Sequence, residues 1–137
     1  PPPLFSSRRR HTRYSLQSRG LGDVYKRQAR DLLSRNRRPT AIFAANDEMA
    51  FGVMNVAAEM GLGIPDDLSV VGFDGTPFST FVVPSLSTII RQSDEMARLG
   101  TQKLLAQINE GEEAAAAFDT MVSPRFVPRG STGQAPG

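Results

Sequence analysis

The chain has 137 residues, no cysteine and a net charge of +2 from 16 Lys/Arg and 14 Asp/Glu. This length suits at most one domain, and the sequence has no run of about 18 apolar residues that would span a membrane. Without cysteine there is no disulfide framework and no thiolate metal site, which fits a cytoplasmic protein.

The start of the chain differs from the rest in charge. Residues 1–40 hold eleven Lys/Arg and two Asp/Glu (+9), whereas residues 41–137 hold five Lys/Arg and twelve Asp/Glu (−7). Residues 1–28 open on three prolines, have neither a helical nor an alternating period, and resemble translated sequencing-adapter read-through. We therefore expect residues 1–28 to be disordered and non-native, 29–132 to fold, and 133–137 to form a disordered tail.

Apolar segments and helical patterns alternate through the rest of the sequence. In chain order they predict a helix end at 29–36, a strand at 40–45, a helix at 47–60, strands at 68–73 and 86–91, a helix at 94–110 and an extended segment at 118–127. Residues 78–83 fit either a helical turn or an exposed apolar patch, and 112–117 fit a loop. This alternation predicts an α/β fold with a mainly parallel sheet. Two strong strand–helix units are too few for a complete Rossmann-like lobe, so we expect the C-terminal part of something larger.

The junction at residue 46 organises the chain. The strand before it is small and apolar, which predicts burial on both faces. Asn46 is a favoured helix N-cap, Asp47 and Glu48 suit the positive end of the helix dipole, and Gly61 suits the position just after the helix. A serine, Ser93, is the predicted cap of the helix at 94–110.

The helix at 47–60 carries two apolar stripes. One stripe consists of Met49, Val53, Val56 and Met60, and the other of Phe51, Met54 and Ala58. One stripe can pack on the sheet. The other needs a neighbouring helix or a second subunit.

Three polar residues follow predicted strands: Asn46, Asp74 and Gln92. The carboxyl ends of parallel strands share one rim, where α/β proteins bind ligands. A carboxylate and two carboxamides offer the donors and acceptors that sugars and nucleosides require. The alternative is that Asn46 is only a cap, Asp74 only a turn residue before Gly75, and Gln92 only a solvated side chain.

No catalytic constellation is present in the sequence. The only histidine, His11, lies in the basic head, and no glycine-rich phosphate loop can be found. We therefore expect no enzyme activity, no cofactor and no metal site.

Four segments resemble the C-terminal part of lac-repressor and purine-repressor type (LacI-type) transcriptional regulators. They are PTAIFAANDEMAFG at 39–52, GLGIPDDLSVVGFD at 61–74, PSLSTIIRQ at 84–92 and PRFVPRGST at 124–132. The resemblance implies a periplasmic-binding-protein-like fold of two α/β lobes with a small effector in the cleft. It implies that this effector is a sugar or a nucleoside and that Asn46, Asp74 and Gln92 contact it.

The same resemblance implies a homodimer with Phe51, Met54 and Phe81 as interface candidates. It also implies an N-terminal helix-turn-helix that binds operator DNA, which these residues do not contain. The helix at 94–110 would then pack on a lobe that is absent from this sequence. We expect the isolated segment to be marginally stable.

Two alternatives remain at this point. Gly75 replaces an Asp or Asn usual in the regulators, and GFDGTP at 72–77 is the form seen in secreted ribose-binding proteins. A solute-binding protein of a transporter is therefore the main alternative, although no signal peptide is recognisable. A basic nucleic-acid-binding module built on 8–38 is the weaker one.

Overall fold

The computed structural model describes residues 15–16, 23–117 and 120–134. The strands are β1 (Ser15–Leu16), β2 (Ala41–Ala44), β3 (Ser69–Asp74), β4 (Ser87–Ile90) and β5 (Arg125–Val127), and the helices are α1 (Asp23–Leu33), α2 (Asp47–Glu59), α3 (Ser93–Glu110) and α4 (Glu112–Ala116), with a 3₁₀ turn at Pro77–Thr80. The five strands lie in the order β1-β2-β3-β4-β5. Because β1 pairs with β2 and β2 with β3 in parallel, the predicted α/β fold with a mainly parallel sheet is confirmed.

The chain divides into two compact units. Unit 1 contains the described residues up to Ile89 and those from Phe126 onward, and unit 2 is Ile90–Arg125. Unit 1 holds the core, which α1 and α2 form with β2, β3 and Leu86. Within unit 2, α3 contacts α4, and α3 has no buried residue.

Local sequence sets both ends of α2. Asn46 is extended (φ −151°, ψ 170°), and its Oδ1 accepts a hydrogen bond from the Met49 N–H at 2.8 Å. At the other end Gly61 has φ +70°. The Gly61 N–H donates to the Ala58 carbonyl (3.1 Å) and the Leu62 N–H to the Ala57 carbonyl (2.9 Å). This is a Schellman motif, and it confirms the predicted role of Gly61.

The strand β2 is buried on one face only, so the expectation that both faces are covered is wrong. Ile42 and Ala44 lie in the core at 2% and 0% exposure, whereas Ala41 is exposed and Phe43 is 44% exposed. Successive side chains of a strand point to opposite faces, and only the Ile42 face joins the buried residues of α2.

The start of the fold also differs from the prediction. Residues 23–28 belong to α1, and Tyr25 is only 8% exposed in the core. Tyr25, Ala29, Leu32 and Leu33 form a helical stripe that crosses the expected boundary at residue 28. The predicted disorder is therefore wrong for 23–28, and residues 15–16 form a strand. The rest of the head, 1–14 and 17–22, lies outside the described residues.

Two further corrections concern the second half of the chain. Residues 112–116 form a helix rather than a loop, because two acids in its first turn precede alanines, which favour helix. Residue 133 lies in the predicted disordered tail, but it makes a hydrogen bond to unit 1. The Gly133 N–H donates to Ser69 Oγ at 3.2 Å. Residues 118–119 and 135–137 lie outside the described part of the chain.

The segment that returns to unit 1 is held by a hydroxyl group. Ser131 is fully buried, its Oγ donates to the Val70 carbonyl (2.6 Å), and it accepts from the Ser87 N–H (2.8 Å). The Val70 N–H donates to the Ser131 carbonyl at 2.8 Å. Ser131 therefore joins the end of the described chain to both β3 and β4.

One-sided burial of β2 predicts opposite results for two neighbouring substitutions. Ile42→Ala removes a core side chain, so it should lower the free energy of unfolding by about 2–5 kcal/mol. Phe43→Ala, the matched control on the exposed face, should cost clearly less. Urea denaturation of the 137-residue chain followed by circular dichroism measures both, and an equal loss would contradict the one-sided core.

Candidate functional site

The polar residues after β2 and β3 lie at the same end of the sheet. In the parallel register, Ile42 pairs with Val70 and Phe43 with Val71. Asn46 lies two residues beyond the end of β2, and Asp74 is the last residue of β3. Since carboxyl ends of parallel strands form the ligand-binding edge of α/β proteins, this rim of unit 1 is the candidate site.

Asn46 caps α2 with one half of its carboxamide. The Oδ1 atom accepts from Met49, and the side chain is half-buried. Among the described residues no hydrogen bond to Nδ2 is found. The cap therefore fixes the orientation of the amide and leaves its two N–H donors to point elsewhere.

Asp74 adopts an unusual backbone conformation. It is the last residue of β3, is half-buried, and has φ +115°, and Gly75 follows with φ +75°. Non-glycine residues rarely take positive φ, and such a conformation costs on the order of 1–3 kcal/mol. The surrounding structure must hold Asp74 in place.

Asp47 binds the loop that follows Asp74, and the sequence reasoning missed it. Its side chain is fully buried. Oδ2 accepts from the Thr76 N–H at 2.7 Å and from Thr76 Oγ1 at 3.0 Å, and Oδ1 accepts from Thr88 Oγ1 at 2.5 Å. A buried carboxylate needs such donors. Asp47 was assigned only to the helix dipole; the available signal was an acid placed directly after a buried strand and its cap.

Gly72 makes room for this carboxylate. A Cβ atom on Gly72 would lie 2.3 Å from Asp47 Oδ1 and 3.0 Å from Leu86 Cδ2. The first distance is shorter than real Cβ contacts and the second is tight, so glycine lets the Asp47 side chain lie directly against the backbone of β3.

Gln92 lies in unit 2 and is exposed. Its Nε2 donates to the Ser123 carbonyl at 2.8 Å. Gln92, rather than Ser93, is the N-cap of α3, and it makes no side-chain cap bond. Nearby, hydrogen bonds from the Arg98 guanidinium lower the pKa of the exposed Glu95 carboxyl below its usual value.

The predicted interface residues have different surroundings. Phe81 is 79% exposed and lies beside Phe78 and Val83, at 70% and 94% exposure. These three side chains are called the 78–83 patch below. Phe51 is half-buried against the core, and Met54 is buried at 8% exposure. Met54 packs in the core that α1 and α2 share, and its role at a dimer interface stays a prediction.

Metal and membrane features were sought only in residues 15–16, 23–117 and 120–134. There, no group of three or more His, Asp or Glu side chains is arranged to hold a metal ion. None of the helices described is both long and apolar enough to cross a bilayer.

Comparison with known proteins identifies relatives of the chain. The model of the periplasmic binding protein-like domain matches residues 4–132. The chain is 48% identical over 84 residues to the probable HTH-type transcriptional repressor ExuR of Bacillus subtilis, covering 61% of this chain and 25% of ExuR. It is 37% identical over 105 residues to the HTH-type transcriptional repressor PurR of Salmonella typhi, covering 77% of this chain and 30% of PurR.

Solved structures give the same result. A LacI-family regulatory protein from Chloroflexus aggregans superimposes with a TM-score of 0.76 at 33% identity, over 88% of this chain and 43% of that chain. A LacI-family regulator from Arthrobacter in complex with lactose gives 0.70 at 27% identity, over 82% and 41%. The dimeric lac repressor with an 11-residue C-terminal deletion gives 0.69 at 29% identity, over 85% and 41%.

The chain thus spans about a quarter to a third of the two repressors. The family model covers nearly all of its residues, and β2 and β3, which carry two of the four sequence motifs, pair in parallel. The chain belongs to the periplasmic binding protein-like domain family, in the form found in LacI-type transcriptional regulators.

Proposed function

We propose that this chain is the effector-sensing portion of a transcriptional repressor, and that Asn46 and Asp74 hydrogen-bond a sugar or nucleoside effector. The observation that carries the proposal is that Asn46 follows β2 and Asp74 ends β3, two adjacent parallel strands, so that both residues lie near the carboxyl ends of these strands. The whole protein would be a cytoplasmic homodimer that binds operator DNA through a helix-turn-helix outside these residues.

The chemistry of the pair supports a hydroxylated effector. A carboxylate accepts hydrogen bonds from two neighbouring hydroxyls, and the Nδ2 group of a capping asparagine donates to a ring or hydroxyl oxygen. Each bond to the charged group is worth roughly 1.5–3 kcal/mol. Further support comes from the relatives: two are named as repressors, and the Arthrobacter regulator was solved in complex with lactose.

The solute-binding alternative rests on the sequence around Gly75 alone. The curated relatives reported above are named as transcriptional repressors. We therefore do not retain a transport function. An effector contact by Gln92 stays a prediction, since its side chain lies in unit 2.

Substituting Asp74 tests the proposed site. In the full-length regulator, Asp74→Asn should weaken effector binding about 10- to 100-fold, because it removes a charge-assisted hydrogen bond. Asparagine tolerates positive φ better than alanine, so the loop should keep its shape. Isothermal titration calorimetry with lactose, ribose, adenosine and guanosine provides the affinities.

The control for this substitution is Asp66→Asn, an exposed acid in the turn before β3. It should leave affinity unchanged. Equal binding of a probe by the wild type and Asp74→Asn would refute the assignment of Asp74, and no binding of any of the four probes would exclude these compounds as effectors.

The 78–83 patch supports a dimer, because it exposes three large apolar side chains close together in the sequence. Phe81→Glu should convert the full-length dimer to monomer in sedimentation velocity experiments. Met121→Glu, at a 91% exposed position in unit 2, is the matched control. A Phe81→Glu protein that remains dimeric would remove Phe81 from the interface.

Met54→Ala should lower the free energy of unfolding by about 2–5 kcal/mol without changing association, since Met54 is buried.

A further inference from the structure

We infer that Asp47 is a positioning residue for the effector site: its carboxylate holds the loop after β3 in the conformation that presents Asp74. The inference rests on the proposed function. It goes beyond it by assigning a role to a residue that is fully buried and does not itself reach the rim.

The first step is the double hold on Thr76. Its backbone N–H and its hydroxyl both donate to the same oxygen, Asp47 Oδ2, at 2.7 Å and 3.0 Å. Two donors from one residue fix both its backbone and its χ1 rotamer. Thr76 therefore forms the fixed far end of the loop.

The second step is the short span between this fixed point and Asp74. Only Gly75 separates the two residues, and both Asp74 and Gly75 have positive φ. β3 fixes the near side of Asp74, and Asp47 fixes the far side through Thr76. The unusual φ of Asp74 is therefore imposed from both sides, as expected for a strained residue at a functional site.

The third step is the fixation of Asp47 itself. Thr88 Oγ1 on β4 donates to its other oxygen, Oδ1, at 2.5 Å, and the absence of a side chain at Gly72 lets the carboxylate lie against β3. Asp47 follows Asn46 directly at the start of α2. One buried side chain thus links the two candidate effector contacts, Asn46 and Asp74.

The competing explanation is that Asp47 only stabilises the fold. The two threonines separate these roles, because each gives Asp47 a hydroxyl but only Thr76 lies in the loop. In the full-length regulator, Thr76→Val should weaken effector binding about tenfold. Thr88→Val should weaken binding by a smaller factor than Thr76→Val, because Asp47 keeps both of its hydrogen bonds to the loop, while lowering the urea midpoint at least as much as Thr76→Val does. The probes are lactose, ribose, adenosine and guanosine.

Variants of Asp47 complete the test. Asp47→Asn should retain affinity within about threefold, because its oxygen can accept from Thr76 while its amide donates to the Thr88 hydroxyl. Asp47→Ala should lose about tenfold or more if it folds. Glu48→Gln, at the exposed neighbouring position in the same turn, should bind like the wild type.

A second measurement does not depend on any effector. Amide hydrogen exchange of the full-length regulator should show the Thr76 N–H protected in the wild type. In Asp47→Ala, or in Asp47→Ser if the former does not fold, this amide should exchange at least about tenfold faster, because its acceptor is gone. Unchanged exchange at Thr76 would overturn the inference without bearing on the effector.

The two proposals fail in different ways. If Asp74→Asn does not affect binding of any probe, the proposed function fails. If Asp74→Asn weakens binding but Thr76→Val and Asp47→Ala do not, the effector site stands and the positioning role of Asp47 is wrong. Equal effects of Thr76→Val and Thr88→Val at equal stability would also assign Asp47 a purely structural role.

Discussion

A carboxylate without access to water must take its hydrogen bonds from the protein. The three donors that surround Asp47 come from Thr76 in a loop and Thr88 in a strand, both far from Asp47 in the sequence. Helix α2, the end of β3 and the middle of β4 therefore meet at one side chain. Any movement of one of them would leave a buried oxygen or a buried hydroxyl without its partner, so the rim of unit 1 behaves as a connected structure.

This arrangement explains why two polar residues can serve different purposes at the same rim. Asn46 follows β2 and caps α2 through its Oδ1 atom, and the N–H donors of its Nδ2 group are not used by this cap. The Asp74 carboxyl sits on a backbone that would not choose its conformation unaided. Pre-organised groups lose little conformational entropy when a ligand arrives. A small molecule with several hydroxyls would therefore meet donors and acceptors that already have their orientation.

Much of this could be predicted from the sequence, because local signals control it. The cap at Asn46, the glycine after α2 and the alternation of strands with helices each follow from neighbouring residues, and the structure agrees with them. The parallel pairing of β2 with β3 follows from the same alternation.

The features that sequence reasoning missed depend on residues distant in the chain. The residues near Asp47 in the sequence do not indicate that Thr76 and Thr88 supply its hydrogen bonds. The burial of Met54 depends on α1, whose start was placed too late because the basic composition of the head hid the stripe that includes Tyr25 and Ala29. The exposure of Phe43 reflects which face of β2 the helices occupy. The predicted strand at 40–45 gives no sign of which face that is.

The path of the chain through unit 1 has a consequence for its covalent integrity. The chain leaves unit 1 after Ile89 and rejoins it at Phe126, and Ser131 then binds the backbone of β3 and β4. Unit 1 is therefore assembled from two stretches with an inserted unit between them. A single backbone cut within Ile90–Arg125 would divide the polypeptide, while the piece from Phe126 onward would stay bound to unit 1 through these hydrogen bonds. A cut in this insertion is therefore suited to a two-fragment reporter that assembles when unit 1 is folded.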